Sequence, residues 1–333
     1  MKNLAFSNLV SSHYFRALNV GLVFLLFIGT IAHAQNNVFV SNTSAGTVTQ
    51  IDPNGDFSIF ASGLDNPEGL AFDSAGNLYV ANSGDGTIAK INSAGTVSTF
   101  ASGLNSPTAL AFDPSGNLYV GNTGNQTISK IDSSGNASVF ATDVRFGGNG
   151  AYLATDSAGN VYANSFDQQV PVTSLIKYDA NGNESTVRAG SDLAGIAVDG
   201  AGDIYLAIQN GNGIVSIGNG SLLIRPNYLP APYNNGDSFF DNAADLVFDA
   251  NGNLYATYYD MVYMGGPGGG NNVGVTYVHN VLVEFGVNGV NTLVANEIGG
   301  DYIAVEPVPE PSALGLLAIG ATAQLVRRRY GSK

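Results

Sequence analysis

The chain has 333 residues, no cysteine and a formal net charge of −14; residues 35–306 carry 25 of the 26 acidic residues against six basic ones, a formal charge of −19 for that stretch. Such a surface repels nucleic acid and anionic lipid and favours cations or neutral polymers, which argues against a nucleic-acid-binding role. Without disulfides, the fold must be held by its own core and by closure of its architecture.

Residues 1–34 carry Lys2 and Arg16, an apolar run from about Val20 to Ile31, and Ala32-His33-Ala34 before Gln35. Charge, a short apolar core and a small-x-small site are the parts of a secretory signal peptide, and the run is short for a bilayer span. Export and removal by signal peptidase are expected, with an uncleaved N-terminal anchor as the alternative.

From Gly63 the chain repeats itself. Shifting residues 63–101 forward by forty places gives identity at 23 of 39 positions, and self-similarity of that period signals stacked supersecondary units. Within the unit, Leu70-Ala71-Phe72, Leu78-Tyr79-Val80, Thr87–Ile91 and Val97–Phe100 are short runs of β-formers,. Asp73-Ser74-Ala75-Gly76 and Asn92-Ser93-Ala94-Gly95 separate them, with a side-chain acceptor first and a residue suited to left-handed backbone fourth. One unit is a four-stranded antiparallel meander.

The Leu-Tyr pair opening its second strand recurs as Val38-Phe39, Leu78-Tyr79, Leu118-Tyr119, Val161-Tyr162, Ile204-Tyr205 and Leu254-Tyr255. The first copy lacks a first strand, and Asp301–Glu306 supplies a matching one at the other end, followed by no second strand. The expected fold is therefore all-β, a six-bladed β-propeller whose first blade the C-terminal strand completes in a 3+1 closure. The expected domains are a signal peptide at 1–34, the propeller at 35–306 and a C-terminal tail at 307–333. Pro67–Asp73 with Gly76–Val80 resembles the NHL repeat and, more loosely, the six-bladed group of gluconolactonase-like lactonases and streptogramin lyases. Asn42, Asn82 and Asn122 depart from the Asp that NHL repeats tend to carry after the second strand.

In each blade the turns after the first and third strands are short and uniform, and the other connections vary. Variable loops on a rigid scaffold are where binding usually sits. Two excursions fall there: residues 226–242, with Tyr228, Tyr233 and Asn242, and residues 258–280, with Tyr258, Tyr259, Tyr263 and His279. Tyrosine with Asn and Asp suits sugars, since aromatic faces pack on C–H groups while amides and carboxylates take hydroxyls. The alternative is that these rings pack loops onto the propeller.

The mouth of the central channel is the second candidate. Aligned on the turn Asp, Asn66, Ser106, Asn149, Asp192, Asn242 and Gly299 form one ring, and Glu68, Thr108, Ala151, Ala194, Ala244 and Asp301 another. Glu68, Asn149, Asp192 and Asp301 are oxygen ligands suited to Ca²⁺ or another divalent cation. The resemblance to the lactonases implies a cation at this location, though their motifs do not occur in order; the alternative is that these groups cap turns and are solvated. No catalytic residue is assigned: His279 is the one histidine in 35–306, and no nucleophile elbow accompanies it,.

The chain closes with Pro309-Glu310-Pro311, an apolar stretch from Ala313 to Val326 and Arg327-Arg328-Arg329. This resembles the PEP-CTERM sorting signal of Gram-negative bacteria, which implies recognition by an exosortase and membrane contact only through this tail. The expected location is the periplasm, outer surface or extracellular matrix. The expected role is a binding or interaction module for a polysaccharide or another surface protein, with the exopolysaccharide matrix as one setting. A divalent-cation-dependent lactonase or lyase and a purely structural surface protein are the alternatives.

Overall fold

The computed structural model describes residues 36–147, 150–167, 172–191, 193–208, 213–217, 222–224, 238–264, 274–285, 291–296 and 302–307. They form six four-stranded antiparallel sheets, with one short 3-10 turn at Thr43–Ala45. The expected all-β six-bladed propeller is what the chain forms. Blades 2 and 3 follow the repeat most closely: Pro67–Phe72, Leu78–Asn82, Thr87–Ile91 and Val97–Ala101, then Pro107–Phe112, Leu118–Asn122, Thr127–Ile131 and Ala137–Ala141. Blades 4, 5 and 6 begin on Leu153–Thr155, Leu193–Val198 and Ser238–Phe248. In blade 1, Val38–Asn42 pairs with Thr47–Ile51 on one side and with Ile303–Val305 on the other.

The short turns form as their chemistry dictates. Gly76 N–H donates to the Asp73 carbonyl at 3.1 Å with Gly76 at φ 80°, and Asp73 Oδ1 accepts from the Ala75 and Asn77 backbone N–H groups at 3.0 and 2.8 Å. Asn77 Nδ2 donates to Asp73 Oδ2 at 2.8 Å. The arrangement recurs at Asp113, Asp156 and Asp249 with Asn117, Asn160 and Asn253. Where the first blade has no such turn, the chain ends rebuild it. Glu306 accepts from Asn37 Nδ2 at 2.6 Å and its N–H donates to the Asn37 carbonyl at 3.0 Å.

The core is divided into six clusters, one at each blade junction. Each sheet has apolar residues on both faces, so every blade buries one face against the blade before it and one against the blade after. Edge-to-face rings join the junctions: Tyr79 lies 4.9 Å from Phe100 and 4.9 Å from Phe112 of the next blade, and Phe39 lies 4.8 Å from Phe60 and 5.2 Å from Phe72,. The turn between the third and fourth strands presses on the preceding blade. A Cβ on Gly95 would sit 2.6 Å from the Phe60 carbonyl oxygen, and Gly95 has φ 77°, so only glycine fits there,.

Candidate functional site

A second layer of order lies on the short-turn face. Strand pairing sets Lys90 opposite Tyr79, Lys130 opposite Tyr119 and Lys177 opposite Tyr162. Their ammonium groups lie 5.1, 5.2 and 5.5 Å from the ring centroids and 3.7, 4.0 and 3.9 Å from Oδ2 of Asp73, Asp113 and Asp156. These are the three lysines of residues 35–306. Burial pushes the Asp73 carboxyl up, but the hydrogen bonds from Asn77 and Ala75 and the Lys90 charge outweigh it and leave it below the ordinary carboxylate value. Asp156 behaves likewise: burial opposes, and bonds from Asn160, Tyr162 and Ala158 prevail. Lys90 is held above its usual value by its bond to Tyr79, against burial and with help from Asp73.

Blade 6 breaks this pattern. Glu284 stands opposite Tyr255 where the lysine would be, and Tyr255, Glu284 and Asp249 are all buried. Burial, then the charges of Glu284 and Asp249, hold the Tyr255 hydroxyl well above the ordinary tyrosine value.

The same blade is longer than the others. Its first three strands are Ser238–Phe248, Leu254–Met264 and Gly274–Phe285, of 11, 11 and 12 residues, where the matching strands of blade 2 have 6, 5 and 5. Six further residues at ~3.3 Å each extend the blade by about 20 Å. The extension leaves from the variable face, opposite the short-turn face on which Pro307 ends the described chain. Asn242 pairs with Tyr259, which pairs with Asn280; Tyr258 lies between Ala243 and Val281, and Tyr263 opposite Val275. His279, expected in a loop, is instead in a strand opposite Asp260. The reason is compositional: Tyr, Val and Met make up most of 258–264, and Val, Thr and Tyr recur through 275–283, and once the second strand continues past its usual end a hairpin satisfies its backbone. Tyr228 and Tyr233 lie outside the described residues.

The expected cation site at the channel mouth falls mostly outside the described residues. Of the four proposed cation ligands, Asn149, Asp192 and Asp301 lie outside the described residues. Glu68 is half-buried in the inner strand of blade 2. Among the described residues no three acidic or histidine side chains are placed to hold a metal ion.

What the inner strands bring together lies one residue deeper. Four positions before each turn acid stand Gly69, Ala109, Tyr152, Gly195, Asp245 and Tyr302. Tyr152 and Tyr302 come from blades 4 and 1, opposite each other in a ring of six, and their centroids are 5.9 Å apart. Tyr302 thus reaches across the axis into the cluster between blades 4 and 5. Asp245 Oδ2 accepts from the Ile303 N–H at 3.0 Å and Oδ1 from the Leu246 N–H at 2.9 Å, tying blade 6 to the closing strand. From this level a channel of about 430 Å³ runs to the short-turn face, where Ser74, Ala250 and Pro307 line it. Tyr152, Asp245 and Tyr302 occupy one position of the repeat, so an alignment extended to that position marks them; the two rings nearer the loops hold more oxygen ligands and are the more conspicuous in sequence.

Residues 307–329 match the PEP-CTERM protein-sorting motif. The motif marks the protein for exosortase processing and for export and sorting in Gram-negative bacteria; Pro309, Glu310 and Pro311 themselves lie outside the described residues. A comparison with curated protein sequences finds no match. Among solved structures, the chain is similar to a protein of unknown function from Bacteroides caccae, with 16% identity, 82% of this chain and 99% of that one covered, and a TM-score of 0.55. It is also similar to a gluconolactonase from Xanthomonas campestris, with 15% identity, 80% and 85% covered, and a TM-score of 0.50. A further structure, virginiamycin B lyase from Staphylococcus aureus, has 11% identity, 84% and 86% covered, and a TM-score of 0.46. At these identities the likeness shows the propeller fold alone.

Proposed function

We propose that this exported, surface-sorted propeller is a binding module that takes a neutral polysaccharide through the extension of blade 6. The observation that supports this reading is the asymmetry of the two faces. The face from which the sorting tail departs carries short, uniform turns closed on themselves by Asp, Asn and Lys. Among the described residues, the opposite face carries the extension of blade 6, whose first three strands are about twice the length of those of blade 2, with Asn242, Tyr259 and Asn280 in one register row and Tyr258 in the next. A protein tethered by its tail presents that extension away from the membrane. The formal charge of −19 on residues 35–306 favours an uncharged polymer over an anionic one,.

The test is a glycan array probed with the full-length protein and with Tyr259→Ala. Binding to neutral glycans that Tyr259→Ala abolishes is the expected result. An array on which the unaltered protein binds no glycan ends the reading. Release of acid from a lactone panel that depends on added Ca²⁺ would replace it with the enzymatic alternative.

A further inference from the structure

Closing the ring engages the chain up to the residue where the sorting signal starts. The Ser41 N–H donates to the Tyr302 carbonyl at 3.2 Å, and the Ile303 N–H donates to Asp245 Oδ2 at 3.0 Å. Ile303, Ala304 and Val305 pair with Val40, Phe39 and Val38 and are 3, 3 and 7% exposed. Asn37 holds Glu306 twice, its carbonyl accepting from the Glu306 N–H at 3.0 Å and its Nδ2 donating to the carboxylate at 2.6 Å. Pro307 then lines the mouth of the channel. The match to the sorting motif begins at that same position, 307, so no linker separates fold from signal.

Chain length turns this junction into a steric problem. Pro309 stands three residues beyond Glu306, and Ala313, where the apolar stretch begins, stands seven beyond it. Fully extended, those spans reach at most about 10 and 25 Å. A compact body of some 270 residues is roughly 45 Å across, and the chain leaves it beside the channel, so about 20 Å of protein flanks the exit on every side. The signal therefore begins under the middle of the short-turn face.

Proteins that read an extended peptide grip its main chain through hydrogen bonds over several residues. Immediately upstream of Pro309 those residues run back through Pro307 to Glu306 and Val305, and the ring already holds the last two. An enzyme that takes the motif with its upstream neighbours must draw them out of the first blade. Such an opening is local: it frees one strand and leaves the other blades intact.

We propose that the closing strand shields the sorting signal, so that the exosortase processes the chain only while Ile303–Val305 is out of the ring. Folding and processing then compete for the same residues. A chain reached before closure loses its tail, and one that closes first keeps it. This inference rests on the sorting motif and is independent of what the variable face binds.

The experiment follows the full-length chain in a Gram-negative host whose exosortase processes proteins bearing this motif, reading loss of the tail by pulse labelling and gel mobility. About twelve Gly and Ser residues inserted between Glu306 and Pro307, a coil spanning about 20 Å, separate signal from strand without loosening the ring. The insertion is expected to speed processing about tenfold or more. Asn37→Ala with Asp245→Ala loosens the closing strand from positions far from the tail in sequence and is expected to speed processing about fivefold or more. Asp113→Ala, which loosens a turn of blade 3 instead, is expected to leave the rate within about twofold of the unaltered chain. An insertion that leaves the rate unchanged or lowers it overturns the proposal. Acceleration by the insertion but not by the Asn37 and Asp245 changes, or equal acceleration by Asp113→Ala, overturns the role of the closing strand. Failure of both the unaltered and the inserted chain to be processed overturns the proposal together with the sorting reading it rests on.

Discussion

In blades 2 and 3 the second strand stops at Asn82 and Asn122, its tyrosine is capped by a lysine and a turn aspartate, and the sheet ends within five residues of where it began. In blade 6 the same strand, from Leu254, runs on to Met264, and the lysine position holds Glu284. Both start from the same pattern of Asp, Gly, Asn, Leu and Tyr. The difference teaches where the repeat is under structural demand and where it is free. The half of each blade near the short turns must fit its neighbours at every junction. The half near the variable face has only to keep its strands paired, so it can lengthen without disturbing the ring.

The largest expected effect falls on the regular blades. Tyr119 is 1% exposed and packs edge-to-face on Phe140 at 4.9 Å. Tyr119→Ala should cost about 3–5 kcal/mol of unfolding free energy, read by denaturant titration. Tyr259→Ala in the extension should leave the midpoint nearly unchanged, and an equal loss at both positions would erase the distinction between scaffold and extension.

Next in size is the turn acid. Asp113 is 9% exposed and accepts from the Ser115 and Asn117 N–H groups and from Asn117 Nδ2. Asp113→Ala leaves those donors without their acceptor at a cost of roughly 2–3 kcal/mol. The substitution Asp113→Asn should recover most of that loss if hydrogen bonding rather than charge is what matters.

Smaller again is the lysine. Lys130→Met should lose about 1 kcal/mol, because a half-exposed ammonium over a ring and beside one carboxylate is worth little more. Glu284→Lys in blade 6 should move the melting temperature the other way, since it puts an ammonium between Tyr255 and Asp249 and removes one of two like charges.

The smallest effects appear in pH profiles. Asp73 and Asp156 have folded pKa values below the ordinary 3.8. Their contribution is therefore complete above that value and is lost as pH falls through the lower folded ones. Asp73→Asn with Asp156→Asn should flatten the acid limb of a stability profile. At the other end, burial and then Glu184 push the Tyr178 hydroxyl from 10.0 to about 12. Its contribution is whole below about 10 and lost as pH rises through about 12, so Tyr178→Phe should lift the alkaline limb.

Most of the propeller was legible because a forty-residue period repeats both hydrophobic alternation and turn chemistry, and each is a local property. The Asp-x-x-Gly turns appear as read, and so do the six second strands. The candidate sites were less legible. The extension of blade 6 looked like loop because the repeat supplied a strand length, and an alignment of repeats treats whatever exceeds it as insertion. Tyr152 and Tyr302 lie 150 residues apart, and nothing local connects them.

The sequence by itself determined the blade, the blade count and the sorting tail, because these depend on patterns within a few residues and on their repetition. Tertiary structure decided what stands across the ring from what. Closure of the ring set Tyr302 against Tyr152 and left Glu306 to meet Asn37 where a turn would have been. Those meetings depend on closing a circle of some 270 residues, and a circle has contacts that no stretch of its circumference contains.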